Sequence, residues 1–213
     1  MQDALSGDEA CDWCDTIEVE LSQVKKLCTF DLVTAPPGAN IIPSGYAFWR
    51  KRNEEGKIVQ YKARLIAKGY RQQFSVDYSD TYVPTVRPST LRTLLSLAAQ
   101  KSSVIEQADV KNAYLNVPLK PDEVIYMRLP PLYGSYQNLP PELEGKQGVV
   151  CKLQKALYGT KQGAHHWYME LKRVFQKHGF MISQADEAVF YEFAGDKYTI
   201  VTAATDDFTI IGD

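Results

Sequence analysis

The stretch YTIVTAATDDFTII, residues 198–211, decides the fold of this chain. Two apolar runs flank a polar turn that carries Asp206 and Asp207, and this pattern predicts an antiparallel hairpin with two carboxylates at its tip. A third acid, Asp109, ends an apolar run that starts at Val104 and is predicted to be a short strand. A single acid in a turn is ordinarily solvated, whereas acids that converge repel one another until a divalent cation such as Mg²⁺ binds them. The residues alone leave both interpretations open.

The composition indicates a folded chain. Its 213 residues are 45% hydrophobic and 23% charged, which is enough to bury a core in one large domain or two small ones. The first twenty residues are acidic and lack an apolar run, so we expect no cleavable signal peptide. No stretch approaches the ~20 apolar residues of a membrane span. We therefore expect a soluble, intracellular protein that is not secreted.

Hydrophobic periodicity predicts the remaining elements. An amphipathic helix is expected over residues 8–28, with an apolar face of Ile17, Leu21, Val24 and Cys28. The other predicted helices and strands are bounded by turn residues or caps, and Ser89 or Thr90 is expected to cap the second helix. They are helices over 89–100 and 164–178, strands over 45–52, 57–67, 104–110, 188–193 and 198–204, and an irregular insertion over 130–148.

Positive charge is concentrated between residues 46 and 73. Eight bases and two acids lie in this segment, a local excess of six positive charges in a chain whose net charge is -2. A basic stretch of this density is typical of a phosphate-facing surface, although a solvated hairpin has the same pattern. The eight bases are Arg50, Lys51, Arg52, Lys57, Lys62, Arg64, Lys68 and Arg71.

The cysteines favour a structural interpretation. Cys11 and Cys14 form a C-x-x-C pair that could be redox-active or half of a zinc site. A zinc site usually needs four ligands, and no second pair stands at a suitable spacing. We therefore expect two thiols on a helix.

Five ordered segments of the chain resemble the reverse transcriptase of copia-type retrotransposons. Residues 107–116, QADVKNAYLN, are similar to the family's first catalytic motif, Q-M-D-V-K-T-A-F-L-N-G, and residues 61–70, YKARLIAKGY, to its fingers signature. Residues 77–86 resemble D-Y-x-x-T-F-A-P-V, and residues 155–168 resemble K-S-L-Y-G-L-K-Q-A-P-R-x-W-Y. Residues 179–190 fit G-F-x-x-S-x-x-D-x-x-x-F. The resemblance covers roughly residues 13–213 in the family's order and spacing.

The resemblance implies an α+β fold with the fingers and palm of a right-hand polymerase. A mostly antiparallel palm sheet, backed by helices, would hold the acids. The N-terminal helix and fingers would occupy approximately residues 1–104, and the palm, with a fingers insertion, residues 105–213.

The resemblance also implies a set of site residues. Asp109, Asp206 and Asp207 would be catalytic and would bind two Mg²⁺ ions, or Mn²⁺ in their place, with help from the carbonyl of Val110. A template-primer of RNA or DNA and deoxynucleoside triphosphates would be the partners. The implied nucleotide-binding residues are Lys62, Arg64, Tyr114 and Gln162, with Tyr114 as the aromatic gate against a 2′-OH. The implied nucleic-acid-binding residues are Arg50, Lys51, Arg52, Lys68 and Arg71.

Three features separate this chain from the family pattern. The tyrosine-valine-aspartate-aspartate box reads Ala204-Thr205-Asp206-Asp207, and Val117 replaces a glycine. The chain stops at Asp213, so the thumb and ribonuclease H segments are absent and the chain resembles a truncated product, cytoplasmic and particle-associated as in the family. Three functions follow as hypotheses. They are an RNA-directed DNA polymerase, an inactive remnant that keeps weak nucleic-acid binding, and an unrelated Mg²⁺-dependent phosphohydrolase.

Overall fold

The structure is a computed structural model that describes residues 5–73, 77–78 and 80–213. Its first six elements run from the N-terminus to the end of the second helix, and 3₁₀ turns lie between several later ones. They are α1 (Ala10–Lys26), β1 (Phe30–Thr34), β2 (Ile41–Ile42), β3 (Ser44–Arg52), β4 (Ile58–Ala67) and α2 (Pro88–Lys101). The others are β5 (Val104–Asp109), β6 (Tyr126–Arg128), α3 (Tyr133–Tyr136), β7 (Val149–Leu153), α4 (Gly163–Lys177), β8 (Met181–Ile182), β9 (Val189–Ala194), β10 (Lys197–Ala204) and β11 (Asp207–Gly212).

The elements form two compact units. The first contains residues 1–80 and 114–163, and the second contains residues 81–113 and 164–213. Both units are mixed α and β, which confirms the predicted α+β class. The sequence also predicted a boundary near residue 104 between the fingers and the palm. That boundary separates functional parts of a polymerase, and it stays a prediction.

The first unit holds a four-stranded sheet and a separate hairpin. The sheet has the order β1-β7-β6-β2, in which only the β2–β6 pair is parallel among the described strands. Strands β3 and β4 form the hairpin, with Trp49 opposite Lys62. The core of this unit is made of aliphatic side chains from all these strands, including the fully buried Ile42, Leu65, Met127 and Leu153.

Helix α1 packs against the hairpin. Trp13, Ile17, Leu21 and Val24 recur every three or four residues and are all buried. Cys28 was predicted to lie on the same face, and this is wrong because the helix ends at Lys26. Cys28 is exposed, with a left-handed φ of 50°. Cys11 and Cys14 lie on the helix as free thiols, as expected.

The second unit is built on a five-stranded antiparallel sheet of order β5-β11-β10-β9-β8. Helix α4 packs on it through Phe175, whose ring stacks on Phe190 with centroids 4.5 Å apart. Helix α2 contributes Ala98 to a cluster with Tyr198 and Ile211. Helices thus pack against the sheet that carries Asp109 and Asp207.

Asp186 organises the start of α2. The helix begins at Pro88, so the prediction that Ser89 or Thr90 is its cap is wrong. The buried Asp186 carboxylate instead accepts hydrogen bonds from the backbone N–H groups of Arg87 (3.0 Å) and Ala188 (3.2 Å). Burial by itself would raise the pKa of Asp186, but these hydrogen bonds, one from Thr90 and the charge of Arg87 hold the pKa below its ordinary value.

The insertion at 130–148 is mostly irregular, as predicted, but contains α3 and a 3₁₀ turn at Pro141–Leu143. Among the described residues, no helix is long and apolar enough to cross a membrane.

Candidate active site

Asp109 and Asp207 lie directly opposite each other in the sheet of the second unit. Strands β5 and β11 pair antiparallel, and the register places Asp207 against Asp109. Residues opposite one another in such a pair have Cα atoms about 4.5–5.5 Å apart and project to the same face. The fold therefore brings together two acids that are about a hundred positions apart in the sequence. Both are exposed to solvent.

Asp206 lies in the turn that joins β10 to β11. Its carbonyl oxygen accepts a hydrogen bond of 3.0 Å from the backbone N–H of Val110, the residue after Asp109. This bond extends the contact between the two strands beyond the last pair of the ladder. The predicted hairpin with carboxylates at its tip is confirmed, with Asp206 in the turn and Asp207 as the first residue of β11.

The turn is fixed by a tryptophan that sequence reasoning did not single out. Thr205 has a left-handed φ of 63°, which is costly for a β-branched residue. The indole N–H of Trp167, on α4, donates a hydrogen bond of 2.6 Å to the Thr205 carbonyl. Trp167 is 6% exposed, so packing of its ring holds this donor in place. The only signal in the sequence was the W-Y pair that closes residues 155–168.

The three acids supply the oxygen ligands that Mg²⁺ prefers. In the part of the chain that the structure describes, however, no three His, Cys, Asp or Glu side chains form a group able to hold a metal ion. The carboxylate oxygens of the paired Asp109 and Asp207 are suitable donors for a divalent cation, but two side chains do not make a complete site.

The basic hairpin of the first unit has two different faces. On one face Phe48, Tyr61 and Ala63 pack against α1, and Trp13 contacts both rings at centroid distances of 4.8 Å. Arg50 is drawn to this side, because its Nε donates a 2.9 Å hydrogen bond to Glu9 and its guanidinium lies 5.5 Å from the centre of the Trp13 ring. Part of the positive charge expected to face nucleic acid is therefore used within the chain.

The opposite face of the hairpin is an open basic groove of about 430 Å³. Trp49 and Lys51 on β3 stand opposite Lys62 and Gln60 on β4, and all four are exposed. The groove is lined by Ala47, Trp49, Lys51, Gln60, Lys62 and Arg64, and it is also bordered by Phe48, whose ring packs against α1.

Arg64 links the groove to a buried carboxylate. Its Nη1 lies 3.3 Å from an oxygen of Glu20, whose other oxygen accepts a 2.9 Å hydrogen bond from the Leu65 N–H. Burial raises the pKa of Glu20 even though Leu65 and Arg64 oppose that shift. The Arg64 guanidinium also lies 5.6 Å from the centre of the Tyr158 ring, and Tyr114 meets that ring edge-on at 4.9 Å. Two predicted nucleotide-binding residues, Arg64 and Tyr114, thus contact the same aromatic ring.

Gln162 is buried, with 1% of its surface exposed. Its amide oxygen accepts a 3.0 Å hydrogen bond from Gln72, and its amide nitrogen donates one of 2.8 Å to the Asp77 carbonyl. The side chain of Gln162 therefore ties three segments of the first unit together.

The remaining predicted nucleic-acid-binding residues do not line the groove. Arg52 donates a 2.6 Å hydrogen bond from Nη1 to the Gly56 carbonyl and so braces the hairpin turn. Lys68 and Arg71 flank and end the 3₁₀ turn Gly69–Arg71 beyond the hairpin. Of the residues 77–86 that form a motif, residue 79 lies outside the described part of the chain.

The chain matches a family model described as reverse transcriptase (RNA-dependent DNA polymerase) over residues 27–213. It is 32% identical over 213 residues to the retrovirus-related Pol polyprotein from transposon TNT 1-94 of Nicotiana tabacum. The aligned region is all of this chain and 15% of that polyprotein. It is 36% identical over 186 residues to the corresponding polyprotein from transposon RE1 of Arabidopsis thaliana, covering 87% of this chain and 12% of the relative. With the Ty1-H Gag-Pol polyprotein of Saccharomyces cerevisiae it shares 34% identity over 137 residues, 62% of this chain and 6% of the relative. The chain thus spans a small part of each of these polyproteins.

Proposed function

Because the chain belongs to the reverse transcriptase (RNA-dependent DNA polymerase) family and matches copia-type Pol polyproteins, we propose that it is an RNA-directed DNA polymerase domain of such a polyprotein. The reaction is the joining of a primer 3′-OH to the α-phosphate of a deoxynucleotide. The observation that carries the proposal is the register that sets Asp207 opposite Asp109. A sheet edge that presents two exposed acids side by side binds cations and positions phosphate oxygens through them.

We propose that the three acids bind metal ions, because the fold places them at the same end of two paired strands. Asp109, Asp206 and Asp207 are the carboxylate ligands, and the carbonyl of Val110 is a further oxygen donor. Two divalent ions held by these residues, Mg²⁺ or Mn²⁺, would supply charge stabilisation to the attacking and leaving oxygens. The chain itself fixes the acids on adjacent strands, so that little reorganisation is needed when charge develops.

The proposed nucleotide contacts lie in the first unit. Lys62 and Arg64 stand on the groove face of the hairpin and bind the triphosphate through charge-assisted hydrogen bonds. Tyr114 is the aromatic gate, and its edge-on contact with Tyr158 restricts its ring. Gln162 is the proposed polar residue of the nucleotide pocket, and its buried amide is held in place by hydrogen bonds with Gln72 and Asp77.

The proposed nucleic-acid contacts are Lys51, Lys68 and Arg71, with Arg50 and Arg52 contributing charge while they brace the hairpin. The partners are an RNA or DNA template-primer and deoxynucleoside triphosphates. In a right-hand polymerase a thumb grips the duplex, and a ribonuclease H segment acts beside it. We propose that these functions belong to other parts of the parent polyprotein.

Primer extension on an RNA template tests the proposal. Asp109→Asn and Asp207→Asn should each reduce extension by several orders of magnitude, because each removes a charge from the paired acids. Asp196→Asn is the matched control, since Asp196 is an exposed acid in the turn at the other end of β10. This variant should extend the primer at the rate of the original chain. Equal extension by all three variants would refute the assignment, and hydrolysis of a simple phosphate ester without template would point to a phosphohydrolase.

A second candidate function is nucleic-acid binding without catalysis. Two observations favour it: in the described residues no three acids form a closed metal-binding group, and Ala204 replaces the tyrosine of the family's box. Salt-sensitive binding of a template-primer with no extension, in Mg²⁺ or Mn²⁺, would establish this function.

Ala204 gives a further test of the catalytic proposal. It is the last residue of β10 and pairs with Asp207, so its side chain stands beside the acids. Ala204→Tyr should increase primer extension by restoring a ring that packs against the primer end. An unchanged or lower rate would contradict this account of the box.

A further inference from the structure

Trp49 is an exposed tryptophan in the basic groove of the hairpin. The side chain is 71% exposed, whereas Trp13, which packs on the same hairpin from the other side, is 2% exposed. Single exposed apolar side chains are common on protein surfaces and need no explanation by themselves. Trp49 differs because of the side chains that share its face.

Cations surround Trp49 on that face. Lys62 stands directly opposite on β4, and Lys51 lies two residues along β3, where successive side chains alternate between faces. Neither lysine makes an ion pair within the described residues, although the charge of Lys62 also acts on the buried Glu20. None of the described residues that line the groove is acidic. The groove is therefore positive, and its largest apolar surface is an indole ring.

This combination matches the chemistry of single-stranded nucleic acid. Such strands are bound by cations that follow the backbone and by aromatic rings on which unpaired bases stack, and stacking tolerates any base because each has a π-face. An indole with one lysine opposite it on the neighbouring strand and another two residues along its own strand offers both contacts in one place. In a duplex the base faces are stacked on one another, so they cannot stack on the indole ring of Trp49.

We propose that Trp49 is a stacking platform for one unpaired base, with Lys51 binding an adjacent phosphate and Lys62 adding positive charge to the groove. The occupant is a single strand of RNA or DNA. The inference rests on the proposed function in that a template strand is the natural ligand, and it adds a contact residue that is not needed for the chemistry at Asp109 and Asp207. Arg64 contributes less, because Glu20 and Tyr158 already engage its guanidinium.

The test is equilibrium binding of the full 213-residue chain to a twelve-nucleotide oligo(dT), an oligo(rU) of equal length, and an abasic strand that keeps the phosphates. Trp49→Ala should raise Kd for both base-bearing strands on the order of tenfold, the effect of losing one stacked base. Binding of the abasic strand should not change, because only phosphates remain. Trp49→Tyr should recover most of the affinity, since a flat aromatic ring is restored.

Val59→Ala is the matched control. Val59 is also exposed, at 56%, lies on β4 and does not line the groove, so its truncation should leave every Kd unchanged. The salt dependence of binding should be the same in Trp49→Ala as in the original chain, whereas Lys51→Gln should reduce the slope.

The proposal is overturned if Trp49→Ala weakens the abasic and base-bearing strands equally, or weakens neither. It is also overturned if Trp49→Tyr binds no better than Trp49→Ala. These outcomes are separate from primer extension: a chain that extends no primer still shows the effect if Trp49 stacks a base. If the chain extends primers but Trp49→Ala does not weaken binding of the base-bearing strands, only the stacking platform is refuted and the proposed polymerase function stands.

Discussion

Gly159→Ala should destabilise the first unit far more than an ordinary glycine substitution. Gly159 has a φ of +86°, and a Cβ added there would lie 2.2 Å from the carbonyl oxygen of Ala67, a backbone atom that ends β4. Two hydrogen bonds hold this close approach, from the Ala67 N–H to the Tyr158 carbonyl (2.8 Å) and from the Gly69 N–H to the Gly159 carbonyl (3.1 Å). A methyl group at Gly159 must therefore push the two segments apart.

The expected loss has two contributions. A left-handed φ costs an alanine about 1–2 kcal/mol. Separation of the segments weakens two backbone hydrogen bonds, each worth about 1 kcal/mol. The sum is about 3–4 kcal/mol, a large part of the roughly 5–15 kcal/mol that stabilises a typical domain.

Gly38→Ala is the control for the backbone contribution. Gly38 has a similar φ of +78°, but a Cβ there would meet no atom within 4 Å. It should lose only about 1–2 kcal/mol. Urea unfolding followed by tryptophan fluorescence measures both, since Trp13 and Trp49 report on this unit. If the two variants lose the same free energy of unfolding, the close approach at Gly159 has no energetic weight and the reasoning fails.

Three further predictions concern single hydrogen-bonded side chains. Glu20→Ala should cost about 1–3 kcal/mol in urea unfolding, because the buried N–H of Leu65 loses its acceptor. Since burial raises the pKa of Glu20, the original chain should lose stability as pH rises from the unfolded pKa through the folded one, and Glu20→Gln should lack that decline. Because the pKa of Asp186 is lowered in the folded chain, its carboxylate contributes fully to the free energy of unfolding above the unfolded pKa of about 3.9, and this contribution is lost as pH falls through the folded pKa. Asp186→Asn should therefore be less stable than the original chain at neutral pH, and its stability should depend less on acid pH. Trp167→Phe should cost about 1 kcal/mol and speed amide exchange in the turn at Thr205, and unchanged exchange there would show that the indole hydrogen bond does not hold the turn.

The sequence predicted the strands that carry the acids, because they have clear signals. Residues 198–211 alternate between an apolar run, a polar turn and another apolar run, and this pattern gave the hairpin of β10 and β11 correctly. The basic hairpin was also predicted, since the turn at 53–56 separates two strand-like segments. Helix α1 was predicted to within two residues at each end.

Some elements whose stability depends on distant partners were not predicted. Strands β6 and β7 are short, lie on either side of the proline-rich insertion, and owe their form to pairing with each other and with β1. The cap of α2 was predicted wrongly because the carboxylate that accepts a hydrogen bond at the start of this helix belongs to Asp186, about a hundred residues further along the chain. Local patterns cannot show such contacts.

The candidate site was predicted in part for the same reason. Resemblance supplied Asp109, Asp206 and Asp207, and the register confirms that Asp109 and Asp207 are neighbours in the sheet. Their catalytic role stays a prediction. Trp49 was not predicted as a binding residue, although its position directly before three basic residues on a predicted strand was a usable signal.

The pairing of β5 with β11 also sets the order in which the molecule can be completed during synthesis. Strand β5 leaves the ribosome about a hundred residues before its partner strand, and the whole of residues 114–163 must be accommodated in another unit in the meantime. Contacts between such distant segments form slowly, because a long loop must close first. A nascent chain halted before residue 207 would lack the strand that pairs with β5, so Asp109 and Asp207 become neighbours only after β11 has been synthesised.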